Sequence, residues 1–322
     1  MARKLRRGTA VLLGICACAP LMAMAQNYPA RPVRVIVVFP PGGSNDVTAR
    51  IVFQKMTETI GQQFIVDNRG GAAGSLGAAV VAKSPADGYT LMVQSTTHIA
   101  NAFVYKGKLP YDTLGDFVGL TALARQVAML LVHPSMPVKS TQDLIAIAQK
   151  RPGEVLYGSA GNGSYLHLCM ALFNSMSKTK MIHVPYKGGG PMLVSLVGGE
   201  VQTSIATIAS AFAHIKSGRL RPLGVSSAER VAQFPDVPPI ADAVPGYDFT
   251  AWVGAFAPKG TPTAIVNKLN AELKTVLADP EVKDKLSKLT LDPMHMTPQQ
   301  FAARLKSDYD RYEKLMKMVG VI

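Results

Sequence analysis

Residues 33–39 (VRVIVVF) form an almost uninterrupted β-branched run, with the length and character of a strand buried on both faces. The run stops at Pro40 and Pro41. From Val47 onward apolar residues recur at helical spacing, with Ile51, Val52, Met56 and Ile60 on one face. The pattern predicts strand, glycine loop, helix. Phe64-Ile65-Val66 predicts a second short strand, and residues 70–77 a glycine-rich passage into a helix at 78–83. Thr90-Leu91-Met92-Val93 predicts a third strand, ending at Gln94-Ser95-Thr96-Thr97.

The same order then restarts. Strands are expected at 128–132, 154–158, 181–184, 202–206 and 223–225, and helices at 141–149, 165–175 and 192–196. After an apolar strand at 251–256, Pro262 opens a helix to Leu277, and Pro280 and Pro298 begin two more. Strands alternating with helices predict an α/β fold, each sheet flanked by helices. No Pro/Ser-rich linker separates the two units. The expected arrangement is therefore two lobes joined by short crossover strands near 120–127 and 249–256: lobe I from 26–124 and 251–322, lobe II from 125–250.

Residues 1–25 read as a secretory signal. Arg3, Lys4, Arg6 and Arg7 precede an apolar run at 9–22, and Ala23-Met24-Ala25 offers the small-x-small pattern of signal cleavage. The run is short for a spanning helix, and no later apolar stretch is longer. An exported, periplasmic chain beginning at Gln26 is expected, with lipid anchoring at Cys18 disfavoured because Ile15-Cys16-Ala17-Cys18 is the poorer cleavage box. Cys169 is then the one remaining cysteine, which excludes an intramolecular disulfide.

Cleavage removes four basic residues and no acid, lowering the formal charge from +13 to +9. The basic residues are scattered and no aromatic-interleaved stripe accompanies them, so nucleic acid is not an expected partner. The six histidines show no metal-ligand spacing, and no P-loop or G-x-S-x-G elbow occurs. Neither metal nor cofactor is expected.

Chemistry is expected in two loops, each between a strand and a helix start. The first holds Pro41, Gly42, Gly43, Ser44, Asn45 and Asp46, with Asp46 as the helix cap. The second holds Ser159, Ala160, Gly161, Asn162, Gly163 and Ser164, with His167 one turn on. Unpaired N–H groups and the helix dipole make such starts anion sites, and glycine lets the backbone approach closely. Two loops on two lobes could clamp one small anion. The rival reading is a hydrolase with Ser164 or Ser44 as nucleophile and His167 as base, for which no orienting acid is evident. Trp252 is open between a core anchor and a cleft wall, and Phe39 is a second possible wall.

These residues carry a resemblance. The stretches 28–32 (YPARP), 39–50 (FPPGGSNDVTAR), 66–77 (VDNRGGAAGSLG), 85–91 (PADGYTL), 109–117 (LPYDTLGDF) and 184–190 (VPYKGGG) occur in order. Residues 198–201, 218–221, 234–238 and 257–262 extend the match across the chain after the signal. The sequence resembles the extracytoplasmic receptors of the tripartite tricarboxylate transporters, the Bug proteins. The resemblance implies a two-lobed, type II-like Venus-flytrap binding protein. It would be a monomer and not an enzyme, delivering a small carboxylate to a tripartite membrane permease or serving a sensor kinase. It also implies ligand contacts from the two loops and, at strand ends, from Ser95, Thr96 and Thr207. The chain departs from the family pattern at 205–209 (IATIA) and at Leu166-His167, where Thr-His is common. Both departures bear on ligand identity.

Overall fold

A computed structural model describes residues 28–322; the signal and the cysteines at 16 and 18 lie outside the described residues. Two sheets organise the chain. The first contains β1 (Val33–Val37), β2 (Phe64–Asn68), β3 (Thr90–Ser95), β4 (Phe117–Gln126), β10 (Ala251–Pro258) and β11 (Leu291–Pro293), in the order β11-β4-β10-β3-β1-β2. The second contains β5 (Ala128–Val132), β6 (Leu156–Ser159), β7 (Ile182–Pro185), β8 (Thr203–Thr207) and β9 (Arg221–Val225), in the order β7-β6-β8-β5-β9. Within each sheet three strands run parallel through helical crossovers: β2-β1-β3 in the first and β7-β6-β8 in the second.

The first lobe carries α1 (Ser44–Ile60), α2 (Ser75–Ala82), α3 (Thr97–Val104), α8 (Thr263–Ala278), α9 (Pro280–Ser287) and α10 (Pro298–Met318). The second carries α4 (Thr141–Lys150), α5 (Tyr165–Ser177), α6 (Gly189–Val197) and α7 (Ile208–Lys216). The α3 and α7 helices were not expected. Both are short and follow directly on a strand. The crossovers are also not short links: β4 and β10 pair antiparallel along their length and sit inside the first sheet.

One hydrophobic cluster runs from Ile36 and Val38 through Phe249 and Trp252 into the second sheet at Leu130 and Ile205, so the lobes share a core at the hinge. Phe301 of α10 lies over β4 and β10 where both strands have glycine. A Cβ at Gly119 would stand 2.7 Å from its ring, and one at Gly254 2.6 Å. Trp252 is buried, meets Phe301 edge-on at 5.1 Å and donates Nε1–H to Asp308 Oδ2 at 2.8 Å. It is a core anchor. The same carboxylate oxygen accepts from Arg304 Nε at 2.8 Å. Asp308→Ala is expected to cost about 2 to 3 kcal/mol, because the indole N–H stays buried without an acceptor. Urea denaturation measures this; an unchanged midpoint and slope would show that α10 does not depend on the contact.

A ligand site at five helix starts

Five helices begin where a strand ends: α1 after β1, α3 after β3, α5 after β6, α6 after β7 and α7 after β8. Their first residues border one cavity of about 40 Å³ between the lobes. Gly43, Ser44 and Asn45 come from the cap and first turn of α1, Ser95 from the end of β3, Thr97 from the start of α3, and Ser164, Tyr165 and Leu166 from the cap and first turn of α5. Gly189 comes from α6, Thr207 from the end of β8 where it caps α7, Ser210 from α7, and Phe39, Ala160 and Gln126 complete the wall. No charged side chain lines it. The positive ends of five helix dipoles therefore set the local potential, which favours an anion.

The start of α1 is buried yet uncapped. Ser44, Asn45 and Asp46 are all buried, and the N-cap Gly43 brings no side chain to the first-turn N–H groups. A buried helix start without acceptors is a place for an acceptor from outside the chain. Hydroxyl donors stand around it. Ser164 Oγ accepts from His167 N at 3.2 Å, so its own proton is free. Thr97 Oγ1 accepts from Ser95 Oγ at 3.0 Å and, across the cleft, from Tyr165 N at 3.0 Å, so its proton is free as well.

The scan against family models matches residues 48–321 to the tripartite tricarboxylate transporter family receptor. The chain belongs to that family. A curated relative, BugT of Bordetella pertussis, is 35% identical over 298 residues, covering 92% of this chain and 91% of its own. Among solved structures, Rpa4515 of R. palustris with adipate is 37% identical with a TM-score of 0.88, covering 91% of this chain and 98% of its own. MatC of Rhodopseudomonas palustris with bound malate is 31% identical with a TM-score of 0.84, covering 89% and 99%. Receptors of this family are solute-binding proteins, not enzymes, and the fold is that of periplasmic binding proteins.

Of the residues the sequence singled out, the tricarboxylate-receptor cavity gathers Gly43, Ser44, Asn45, Ser95, Ala160, Ser164 and Thr207. The others stand behind it. Asp46 is not the cap, because α1 begins earlier, at Ser44. Its Oδ2 accepts from Gly42 N at 3.0 Å and its Oδ1 from Asn68 Nδ2 and Arg50 Nε, both at 3.0 Å, which braces the first loop from outside. Pro41 turns its carbonyl toward α6: a Cβ on Gly190 would lie 3.2 Å from it. Thr96 is buried outside the cavity wall. In the second loop Gly161 N donates to Ser159 Oγ at 3.1 Å, and Gly163 N donates to His167 Nδ1 at 3.1 Å. Asn162 and His167 instead border a separate hollow, with Asn174, Thr179 and Met318.

The hydrolase geometry is not formed. Ser164 Oγ meets the backbone of His167 and not its ring, whose Nδ1 is occupied by Gly163. Ser159 Oγ lies 2.6 Å from His183 Nε2, but Ser159 is fully buried off the cavity, and among the described residues no acidic side chain bonds the His183 ring, which stacks on His167 at 4.0 Å. Among the described residues no group of three or more His, Cys, Asp or Glu could hold a metal ion, and no helix is long and apolar enough to cross a membrane.

Several wall residues of the receptor cavity escaped the sequence reading. Gly189 had a signal, since Lys187-Gly188-Gly189-Gly190-Pro191 is a third glycine passage into a helix. Thr97 and Ser210 lie in the two short helices that periodicity did not reveal. Gln126 had no local signal, because only the end of β4 at the hinge brings it to the cavity floor.

Proposed function

We propose that the chain captures one small carboxylate in the cavity between its lobes and delivers it to a tripartite membrane permease. The observation that carries the proposal is the buried, uncapped start of α1, facing the free hydroxyl protons of Thr97 and Ser164 in a cavity without charged side chains. A carboxylate accepts from both loops at once, and the adipate and malate held by two solved relatives are of that class. The half-sites lie on opposite lobes, so the ligand favours the closed form and stabilises it. The proposal takes residues 1–25 as the export signal to the periplasm, 26–124 with 251–322 and 125–250 as the moving lobes, and a monomer as the working unit.

The test is a thermal-shift screen of the chain from Gln26, unfolded and refolded to strip bound acid, against dicarboxylates, hydroxy acids, acidic amino acids and aromatic acids. A ligand at about 1,000 times its Kd stabilises by about 4 kcal/mol, a rise of several degrees. Ser44→Ala and Ser164→Ala are each expected to weaken binding about tenfold, the loss of one hydrogen bond to a charged group; Ser164→Ala also costs about 1 kcal/mol of unliganded stability, because Ser164 Oγ caps α5. Silence from every acid would overturn the proposal.

A further inference from the structure

We infer that the captured acid carries a hydroxyl group, and that Gln126 and Asn45 read it; this rests on the carboxylate reading above. Gln126 lies on the cavity floor, 1% exposed, and its side-chain amide makes no hydrogen bond with the described residues. A buried amide left unpaired is destabilising, so one aimed at a binding cavity marks a ligand contact. Asn45 supplies a second vacant oxygen through a chain of assignments. Ser95 N–H donates to Gln94 Oε1 at 2.8 Å, which fixes that atom as the oxygen. Asn45 approaches the same oxygen at 3.3 Å and must do so with Nδ2. Its Oδ1 is left at the cavity wall, accepting nothing from the described residues.

Among its donors the cavity wall therefore carries two residues, Asn45 and Gln126, whose side-chain amide oxygens accept nothing from the described residues. A plain carboxylate only accepts. It satisfies the helix starts and leaves both amide oxygens unpaired. An ammonium would pair with them, but no acidic side chain lines the cavity, and five helix starts repel positive charge. Asp46, beside the first loop, is already committed to Gly42, Arg50 and Asn68. A neutral hydroxyl remains. It donates to one amide oxygen and accepts from the Gln126 N–H, so a hydroxy-substituted acid fits where the unsubstituted and the amino acid do not.

Calorimetry on the stripped chain with matched sets decides this: propionate, lactate and alanine; succinate, malate and aspartate; glutarate, 2-hydroxyglutarate and glutamate. In the set of the right length the hydroxy acid is expected to bind about 100-fold more tightly than its unsubstituted partner, because a site built around a hydroxyl rejects analogues lacking it. The amino acid is expected to bind no better than the unsubstituted acid. Gln126→Met is expected to reduce the ratio of hydroxy-acid to unsubstituted-acid affinity at least about tenfold. Equal binding of substituted and unsubstituted acids, or tightest binding of an amino acid, overturns the inference while leaving the carboxylate reading intact. An unchanged preference in a folded Gln126→Met removes Gln126 as its reader. Silence from all nine in a chain that binds an acid without a hydroxyl in the wider thermal-shift panel also overturns the inference, and silence from that whole panel overturns the carboxylate reading itself.

Discussion

Replacing Gly188 by alanine is expected to weaken ligand binding about 100-fold or more while both lobes stay folded. Gly188 is the N-cap of α6 in the second lobe, and Pro40 follows β1 in the first. As the lobes stand, a Cβ on Gly188 would lie 2.6 Å from Pro40 Cδ and 3.0 Å from Cγ. A proline ring held between β1 and the first loop has little room to yield. With the lobes apart this collision vanishes, so it burdens only the closed form. A penalty of about 3 kcal/mol on closure lowers apparent affinity about 100-fold, since the binding-competent fraction falls by that factor. The backbone contributes separately: at φ +144° an alanine is strained in both forms by about 1 to 3 kcal/mol, which lowers the melting point without touching affinity. Titration calorimetry and a thermal melt separate the two effects. Adding Pro40→Ala to the variant should restore most of the lost affinity and none of the lost stability, a coupling that a double-mutant cycle reads directly. An unchanged Kd in Gly188→Ala would mean that the lobes do not need this approach to hold ligand.

How much of this was legible in the sequence depends on whether the signal is local. The run at 33–39 and the glycines after it announce β1 and the start of α1, because a buried parallel strand and a loop-to-helix junction both have their own residue chemistry. The second loop reads the same way, and together they supply Gly43, Ser44, Asn45, Ala160 and Ser164 to the cavity. The α3 helix was hidden because THIANAFV is only eight residues long, and its first five residues, Thr97 to Asn101, are buried, so no polar face marks a period. Gln126 and Leu166 line one cavity from different elements, a long-range outcome that no window of sequence contains. His167 misled for a physical reason. One turn into a helix beside Ser164 it looks like a base for that serine, yet its ring turns back to hold the Gly163 amide.

The charge pattern divides in a similar way. The scattered basic excess creates a positive field around the outside of the molecule, and the cavity itself has no formal charge. Long-range attraction can draw an anion toward the cleft, but the site that holds it works through oriented N–H and O–H groups. Raised salt should therefore slow association more than it hastens release.

The His167 contact also makes the protein sensitive to acid. Stability is expected to fall by about 4 to 5 kcal/mol between about pH 7.5 and about pH 5, mostly from the buried His98 and His167, with a smaller share from the half-buried His183. Burial lowers His98 and His167 to about 4, the former against the opposing pull of the Thr113 carbonyl; burial and then the neighbouring His167 lower His183 to about 3. A histidine lowered on folding binds its proton more readily in the unfolded chain. Its contribution is present above the unfolded value near 6.5, and is lost as pH falls from there toward the folded value. At about pH 5 His98 and His167 have each lost about 2 kcal/mol, and His183 less, because solvent screens a half-buried ring. Carboxylates held low by their partners, such as Asp67 beside Arg34, act below this window. The geometry gives the cost a location. His98 Nε2 faces the Thr113 carbonyl at 2.9 Å, and a proton on its buried Nδ1 finds no acceptor. A proton on His167 Nδ1 would face the Gly163 N–H that this atom now accepts, and the charged ring would stack on His183 at 4.0 Å. Urea denaturation at several pH values gives the uptake of protons on unfolding from the slope of stability against pH, about two to three near pH 5 in the native chain. His167→Gln should lower that number by one and loosen the second loop equally at every pH. A stability that stays flat between pH 5 and 7.5 would show that these rings are already solvated in the folded molecule.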